Sequence, residues 1–185
     1  LGGSVIISLG LSFRQGAVSS KKILAGAALV CLALGIGAGV YVASKSKPAP
    51  EVALTSIQNQ SLKLSGLRGK VVLVNFWATS CPGCIREMPA LIETHRKFQP
   101  RGFETISVAM QYDPPNYVLN YAQNNHLPFF VTLDTTGGIA EAFGGILGTP
   151  TSFLIDKRGN IVQQYIGEPD FKALHQLIES KLQET

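Results

Sequence analysis

The feature that most limits the possible folds is a pair of cysteines at the junction of a strand and a helix. The apolar run KVVLVNFW (70–77) predicts a buried strand, and Cys81 and Cys84 stand where the next helix should begin. Such a pair can hold a metal, form an inert disulfide, or make and break a disulfide during catalysis. A zinc site needs two further Cys or His ligands at regular spacing. The histidines are scattered instead, at His95, His126 and His175, which disfavours a metal.

Strands and helices alternate along the rest of the chain. Hydrophobic periodicity predicts a hairpin at 54–64, strands at 70–77, 103–110, 128–133, 152–156 and 160–166, and helices at 82–98, 115–125, 138–143 and 170–182. Strand–helix–strand units imply a parallel core, and the last two strands, joined by a short turn, add antiparallel neighbours. We therefore expect an α/β fold with helices on both faces of a mixed sheet. The cysteine pair then lies at the carboxyl end of the first long strand, where reactive groups of such sheets gather.

The positive charge of the chain is confined to its N-terminal part. The net charge is +4, and residues 1–50 contain five basic residues and no acidic one. The remainder has eleven basic and twelve acidic residues, so it carries no excess of positive charge. Without a basic surface on the folded part, no nucleic-acid partner is expected.

Residues 23–43 are 21 uncharged, mostly apolar residues bracketed by lysines. At about 1.5 Å per residue this length spans the hydrocarbon core of a bilayer, so we expect an uncleaved transmembrane anchor after a leader at 1–22. A cleaved signal peptide is the alternative, although its apolar region is usually shorter. A lipoprotein signal at Cys31 is disfavoured because Val30 stands where a small residue is required. Residues 44–53 are polar and contain prolines, which predicts a tether before a domain at 54–185.

The surroundings of the pair favour redox chemistry. Pro82 suits the first helical position, which places Cys81 at the N-cap or just before it. Free backbone N–H groups and the helix dipole favour an anion there, and such sites lower the pKa of a cysteine from about 8.5 to about 3.5–7.5. Cys84, one turn inside, should be more buried. We therefore expect Cys81 to attack a partner's disulfide and Cys84 to resolve the mixed disulfide. An inert disulfide would constrain little of the chain, because its loop is so short.

Several motifs in a fixed order resemble the thioredoxin superfamily, most closely its membrane-anchored TlpA/ResA-like branch. They are LRGKVVLVNFWAT (67–79), CPGC (81–84), REMP (86–89) and GTPTSFLIDKRGNIV (148–162). The resemblance runs from about residue 54 to residue 182. It implies a thioredoxin-like fold, in which helices flank a mixed central sheet. It also implies that one N-terminal transmembrane helix precedes this domain. It also implies a thiol-disulfide oxidoreductase that uses Cys81 and Cys84 and needs no cofactor and no metal.

The resemblance assigns roles to residues near the pair. Trp77 matches the aromatic residue that packs beside the cysteines, although it can equally be a core tryptophan. Asn75 stands where thioredoxin keeps a proton-transferring aspartate, so that route should be absent. Glu87 matches an acidic residue of the ResA-like branch that could accept the proton of Cys84. The alternative for Glu87 is a solvent-facing helix glutamate.

The resemblance also implies a substrate-binding wall. The Thr149–Pro150 bond matches a cis-proline opposite the pair, which leaves the backbone of Thr149 free to pair with an extended substrate. Pro82 and Gly83 form the dipeptide between the cysteines, whereas this branch more often has proline in the second place. That dipeptide influences the reduction potential, which the sequence does not determine. Pro89 matches the proline that kinks the helix, for which a structural role suffices.

By resemblance, the expected partners are protein disulfides and a membrane thiol donor of the DsbD/CcdA kind. The expected location is the inner (cytoplasmic) membrane, as a single-pass protein whose catalytic domain faces the periplasm. There it would reduce disulfides in apocytochrome c or in copper-site proteins of oxidases. Three alternatives remain. An oxidase or isomerase would use the same sulfurs, a copper-binding chaperone would require a C-x-x-x-C spacing, and a peroxiredoxin would require threonine where Ala78 stands.

Overall fold

The computed structural model describes residues 47–184, so the leader at 1–22 and the expected anchor at 23–43 lie outside the described residues. Its strands are β1 (Lys47–Pro48), β2 (Ala53–Thr55), β3 (Ser61–Lys63), β4 (Val71–Trp77), β5 (Phe103–Ala109), β6 (Phe130–Leu133), β7 (Thr151–Ile155) and β8 (Asn160–Ile166). Its α-helices are α1 (Pro82–Phe98), α2 (Pro115–Asn124), α3 (Gly138–Ala142) and α4 (Phe171–Gln183). Short 3₁₀ turns cover Leu64–Leu67 and Gln99–Arg101. Every element predicted within this range is present, with bounds within two residues of those predicted. No helix between residues 47 and 184 is both long and apolar enough to cross a membrane.

Six strands form the central sheet, in the order β1-β8-β7-β4-β5-β6. Strands β4, β5 and β6 are parallel, whereas β7, β8 and β1 each run antiparallel to their neighbours. This mixed sheet with flanking helices is the thioredoxin-like α/β fold that the sequence predicted. All seven residues of β4 are buried, as expected for a central strand. The chain leaves the carboxyl end of β4 directly into the segment that carries Cys81.

The sheet separates two hydrophobic cores. Alternate residues of β4, among them Val71 and Leu73, pack in one core with buried side chains of α1, α2 and α4. The β4 residues that alternate with these, such as Val72 and Phe76, pack in the other core. The prediction that helices cover both faces needs a correction there. This second face has only the five-residue α3, and the β2–β3 hairpin and the 3₁₀ turn at Leu64–Leu67 cover the rest of it.

The segment expected as a tether (44–53) is bound to the domain from residue 47 onward, which corrects the predicted boundary. Lys47 and Pro48 pair with the start of β8, and the Ala49 amide donates to the Gly159 carbonyl at 2.9 Å. Ala49 and Val52 also pack against the second core. Lysine and proline suggested a linker, but both residue types are also typical of edge strands, and β1 is an edge strand.

Phe98 offers a test of the core beneath the helices. Its side chain is fully buried and packs edge-on against Phe103 and His175. Phe98→Ala should therefore lower the free energy of unfolding by about 3–5 kcal/mol, measured by denaturant titration of the oxidised protein. The matched control is the exposed Gln176→Ala, which should stay within about 0.5 kcal/mol of wild type. A loss below about 1 kcal/mol for Phe98→Ala would contradict this packing.

Candidate active site

The two cysteines occupy the start of α1 as the sequence predicted. Cys81 is the N-cap residue and Pro82 the first helical residue, and the Cys84 amide donates to the Cys81 sulfur at 3.2 Å. Cys81 is half-buried, whereas Cys84 is fully buried. The two sulfurs form a disulfide, with the Cα atoms 5.3 Å apart. The accessible sulfur is thus the one at the helix terminus, where a thiolate is stabilised.

A buried aspartate holds the segment between β4 and the pair. Both the amide and the hydroxyl of Thr79 donate to the carboxylate of Asp113, at 2.6 and 2.5 Å. The Cys81 amide donates to the Ala78 carbonyl, which closes the turn. The sequence analysis missed Asp113, although an aspartate placed before Pro114 and Pro115 at the carboxyl end of a strand is a recognisable signal. Asp113 therefore fixes the backbone that presents Cys81.

The loop before β7 forms the opposite wall. The Thr149–Pro150 peptide bond is cis, which confirms the prediction. The carbonyl oxygen of Thr149 lies 3.4 Å from the Cys81 sulfur. The Pro150 carbonyl accepts from the Gly167 amide at 2.8 Å, which ties the loop to the end of β8. No residue between 47 and 184 accepts a hydrogen bond from the Thr149 amide, so this amide is available to an extended ligand.

The dipeptide between the cysteines faces this wall. A Cβ atom added at Gly83 would lie 3.4 Å from Cδ of Pro150 and 3.7 Å from Nη2 of Arg86, both ordinary contacts. The site therefore accommodates a Cβ atom at position 83. Pro82 is exposed, and α1 continues through the exposed Pro89 to Phe98.

Trp77 is a core residue and also belongs to the surroundings of the pair. It is fully buried, lies in the same hydrophobic cluster as Cys84, and packs against Tyr121 with ring centroids 5.3 Å apart. The two interpretations offered by the sequence therefore hold together.

Glu87 is buried on α1, three residues after Cys84, so the alternative of a solvent-facing glutamate is wrong. Its side chain is 1% exposed, and Oε1 accepts a hydrogen bond from Nδ2 of Asn75 at 2.9 Å. Burial raises the pKa of Glu87 to about 7, and the charge of Glu168 adds to the rise, whereas the Asn75 hydrogen bond and Arg86 oppose it. The helical pattern around Glu87 gave no sign of this burial, because a carboxyl is rarely found inside a core.

A row of small polar side chains crosses the sheet below Glu87. Asn75 pairs in register with Ser107 on β5 and Ser152 on β7, and its amide also donates to the Ser152 hydroxyl at 3.0 Å. Within residues 47–184, the buried side-chain N and O atoms without a hydrogen-bond partner are all in this row and its neighbours: Asn75 Oδ1, Glu87 Oε2, Ser107 Oγ and Trp77 Nε1. Unpaired buried polar atoms are rare, and a bound water or ion, strain, or a redox or catalytic role accounts for those that occur. The two serines were missed, and their only sequence signal is a small polar residue inside an apolar strand.

The part of the chain from 47 to 184 contains no group of three or more His, Cys, Asp or Glu side chains that could hold a metal ion. The arrangement therefore offers two sulfurs, one buried carboxyl and a free backbone amide. Together these groups can form a mixed disulfide with an extended chain, take up a proton and release the product.

Comparisons with known proteins agree with this chemistry. Residues 44–178 match the Redoxin family. The chain is 34% identical to the thiol-disulfide oxidoreductase ResA of Bacillus thuringiensis subsp. konkukian over 134 residues, which are 72% of this chain and 76% of that protein. It is 37% identical to ResA of Bacillus anthracis over 147 residues, or 79% and 83% of the two chains. The crystal structure of a thiol:disulfide interchange protein from Chlorobium tepidum superposes with a TM-score of 0.69 at 29% identity, covering 75% of this chain and 97% of that one.

Proposed function

We propose that this chain, which belongs to the Redoxin family and is a thiol-disulfide oxidoreductase, reduces disulfides of other proteins from a membrane-anchored position outside the cytoplasm. The observation that carries the proposal is the asymmetry of the pair. Cys81 is accessible at a helix N-terminus, whereas Cys84 is fully buried on the helix that also carries the buried Glu87. This asymmetry gives each sulfur a separate step in disulfide exchange.

In the first step the Cys81 thiolate attacks one sulfur of the substrate disulfide. The substrate S–S bond breaks, one substrate cysteine leaves as a thiolate, and a mixed disulfide with Cys81 forms. Cys84 then loses its proton and attacks the Cys81 sulfur, and the second substrate cysteine leaves. Two electrons pass to the substrate, and the protein is left with the Cys81–Cys84 disulfide seen in the structure. A thiol donor must reduce that disulfide before the next cycle.

The reductive direction is supported by Glu87. A cysteine pair is a strong oxidant when its reduced, thiolate form is stabilised. Once ionised, a buried carboxylate one helical turn from Cys84 disfavours a thiolate there, because like charges repel strongly in a poorly solvated site. This destabilises the reduced form and makes the pair a better reductant.

Equilibration of the pair with glutathione buffers tests the direction. We expect a reduction potential below about −230 mV, on the reducing side of the glutaredoxins. A value near −120 mV, typical of a periplasmic oxidant, would favour the alternative of a disulfide oxidase, and a value near −180 mV would favour an isomerase. Tight binding of Cu(I) by the reduced protein would instead favour a copper-binding chaperone.

The proposed location rests on residues 23–43, which have the length and composition of a membrane span. The full chain should stay in the membrane fraction after a carbonate wash, and the folded part should be accessible to a protease added to spheroplasts, whose inner membrane is intact. A soluble product that begins near Ser44 would show that the segment is a cleaved signal peptide. We further propose substrates in cytochrome c or oxidase copper-site maturation and an electron donor of the DsbD/CcdA kind. A deletion strain that lacks holocytochrome c and regains it with a small thiol reductant would support the first substrate.

A further inference from the structure

Four buried polar atoms beneath α1 have no hydrogen-bond partner in the part of the chain from 47 to 184: Trp77 Nε1, Asn75 Oδ1, Glu87 Oε2 and Ser107 Oγ. All four side chains are at most 1% exposed. Burying a polar group without a partner costs free energy, so such atoms are usually satisfied by a bound water or ion. Their occurrence in one place indicates a binding site for a small polar ligand.

The pairing register places these groups side by side. Asn75 and Trp77 alternate along β4 on the face that packs against α1, and Ser107 lies opposite Asn75 on β5. Neighbouring strands are about 4.8 Å apart, so the Ser107 side chain is next to the Asn75 amide, although the two make no direct hydrogen bond. From α1, Glu87 reaches the same amide, with Oε1 accepting from Nδ2 at 2.9 Å. The four groups therefore share one small region around Asn75, where a water can bridge polar atoms that do not bond directly.

The donors and acceptors of this region identify the ligand as water. The amide nitrogen of Asn75 already donates to Glu87 Oε1 and to the Ser152 hydroxyl, and its Oδ1 atom can only accept. The Trp77 indole N–H can only donate, whereas the Ser107 hydroxyl can donate or accept. With Oε2 of an ionised Glu87 as the second acceptor, the four unpaired atoms offer two donors and two acceptors. One water molecule complements this set, since a buried water typically makes about three such hydrogen bonds.

We propose that these four groups bind one internal water molecule, and that Ser107 is the positioning residue that adapts the hydrogen bonds of this water to the ionisation of Glu87. When Glu87 is ionised, the water donates to Oε2 and to Asn75, and it accepts from the other two groups. When Glu87 is protonated, Oε2–H donates to the water, and the Ser107 hydroxyl turns to accept the hydrogen that the carboxylate no longer takes. Only Ser107 can reverse in this way, because an indole N–H only donates and an amide oxygen only accepts. This water site is independent of the direction in which the cysteine pair works.

Glu87 is the group at this site that changes charge near neutral pH. Burial raises its pKa to about 7, the Asn75 hydrogen bond and Arg86 oppose this rise, and the charge of Glu168 adds to it. Arg86 and Glu168 bond each other, with Nε and Oε2 3.1 Å apart. In the oxidised protein the two cysteines are joined in the disulfide. Burial moves the pKa values of the nearby tyrosines above 10 and of the nearby histidines below 6.5: Tyr121, Tyr165, His95 and His175.

Trp77 makes the water site observable, because it is the only tryptophan of the chain. In the oxidised full-length protein, isotope-labelled at tryptophan and solubilised in detergent, its indole N–H gives a single NMR resonance. We expect a cross-peak between this N–H and a long-lived water, and a chemical-shift change with its midpoint near pH 7. Ser107→Ala should lose the cross-peak and raise the midpoint by about one pH unit, because the charged carboxylate loses a hydrogen bond. Glu87→Gln should lack the titration near pH 7.

Ser152→Ala is the matched control, because Ser152 is also 1% exposed and also lies opposite Asn75, but its hydroxyl already has a partner there. It should keep the cross-peak and the wild-type midpoint. Absence of the water cross-peak in wild type would overturn the proposal, even if a serine variant failed to fold. A wild-type midpoint in Ser107→Ala would also overturn it, as would the same shift in Ser152→Ala. A shifted NMR midpoint in Ser107→Ala with an unchanged pH profile of release from the mixed disulfide would support the water site and contradict Glu87 as the base of that step.

Discussion

Cys81→Ser should abolish turnover of protein disulfides, with activity falling by at least about 10³-fold to background. The reason is geometric: Cys81 is the half-buried sulfur at the helix terminus, and Cys84 is fully buried and out of reach of a protein substrate. The measurement is the steady-state reduction of a protein disulfide with a thiol donor in excess. All variants should be compared in a Cys31→Ser background, because Cys31 is the third cysteine of the chain.

Cys84→Ser serves as the counterpart of this variant. It should still attack substrates through Cys81 but should accumulate a covalent mixed disulfide, visible as a shift on non-reducing gels. Equal trapping by the two variants would remove the distinction between attacking and resolving cysteines. Residual turnover above background in Cys81→Ser would show that Cys84 can be reached directly.

Glu87→Gln should slow the second step, release from the mixed disulfide, by about 10²-fold at pH 8. A pKa of about 7 leaves Glu87 ionised above neutrality, where it can accept the proton that Cys84 must lose. Glutamine keeps the acceptor for the Asn75 amide, so the fold and the position of the sulfurs should be preserved. The measurement is single-turnover release from a preformed mixed disulfide between pH 5 and 9. Wild type should show a rise centred near pH 7, and the variant should lack it.

The same substitution that slows release should increase the stability of the folded protein, and the size of this increase should depend on pH. Because burial raises the folded pKa of Glu87 from 4.5 to about 7, the folded state holds a proton that the unfolded chain has lost between these values. The stability associated with the protonated carboxyl is complete below pH 4.5 and is lost as the pH rises to 7. Relative to wild type, Glu87→Gln should therefore gain stability across this window. A rate within about twofold of wild type at every pH, with no change in stability, would reduce Glu87 to a structural role.

The sequence predicted the elements of the fold well because their periodic patterns agree with their burial. The continuous apolar run of β4 became a strand buried on both faces, and the apolar positions of α4, such as Leu174 and Ile178, are buried. Pro82 correctly indicated the first helical residue and hence Cys81 at the N-cap. These features are local, since strand length, helix periodicity and proline geometry depend on residues close together in the chain.

The site was less predictable where it depends on contacts between distant residues. Glu87 is buried where α1 packs on the sheet, and its hydrogen-bond partner Asn75 lies 12 positions away in the chain. The hydrogen bonds between Thr79 and Asp113 join two loops at the ends of neighbouring strands. The sequence of either loop by itself does not indicate this contact. The boundary at residue 47 was missed because two residues of an edge strand resemble a linker in composition.

The pairing of β1 has a consequence for how the enzyme meets its partners. Lys47 lies opposite Ile161, and the register carries this position to the Val72 end of β4, whereas Cys81 follows the Trp77 end. Five residue-to-residue steps, from Val72 to Trp77, separate the two ends by about 17 Å of strand. The polypeptide thus enters the domain at the pole opposite to its reactive sulfur. A substrate that approaches Cys81 therefore does not meet the first described residues of the domain, Lys47 and Pro48.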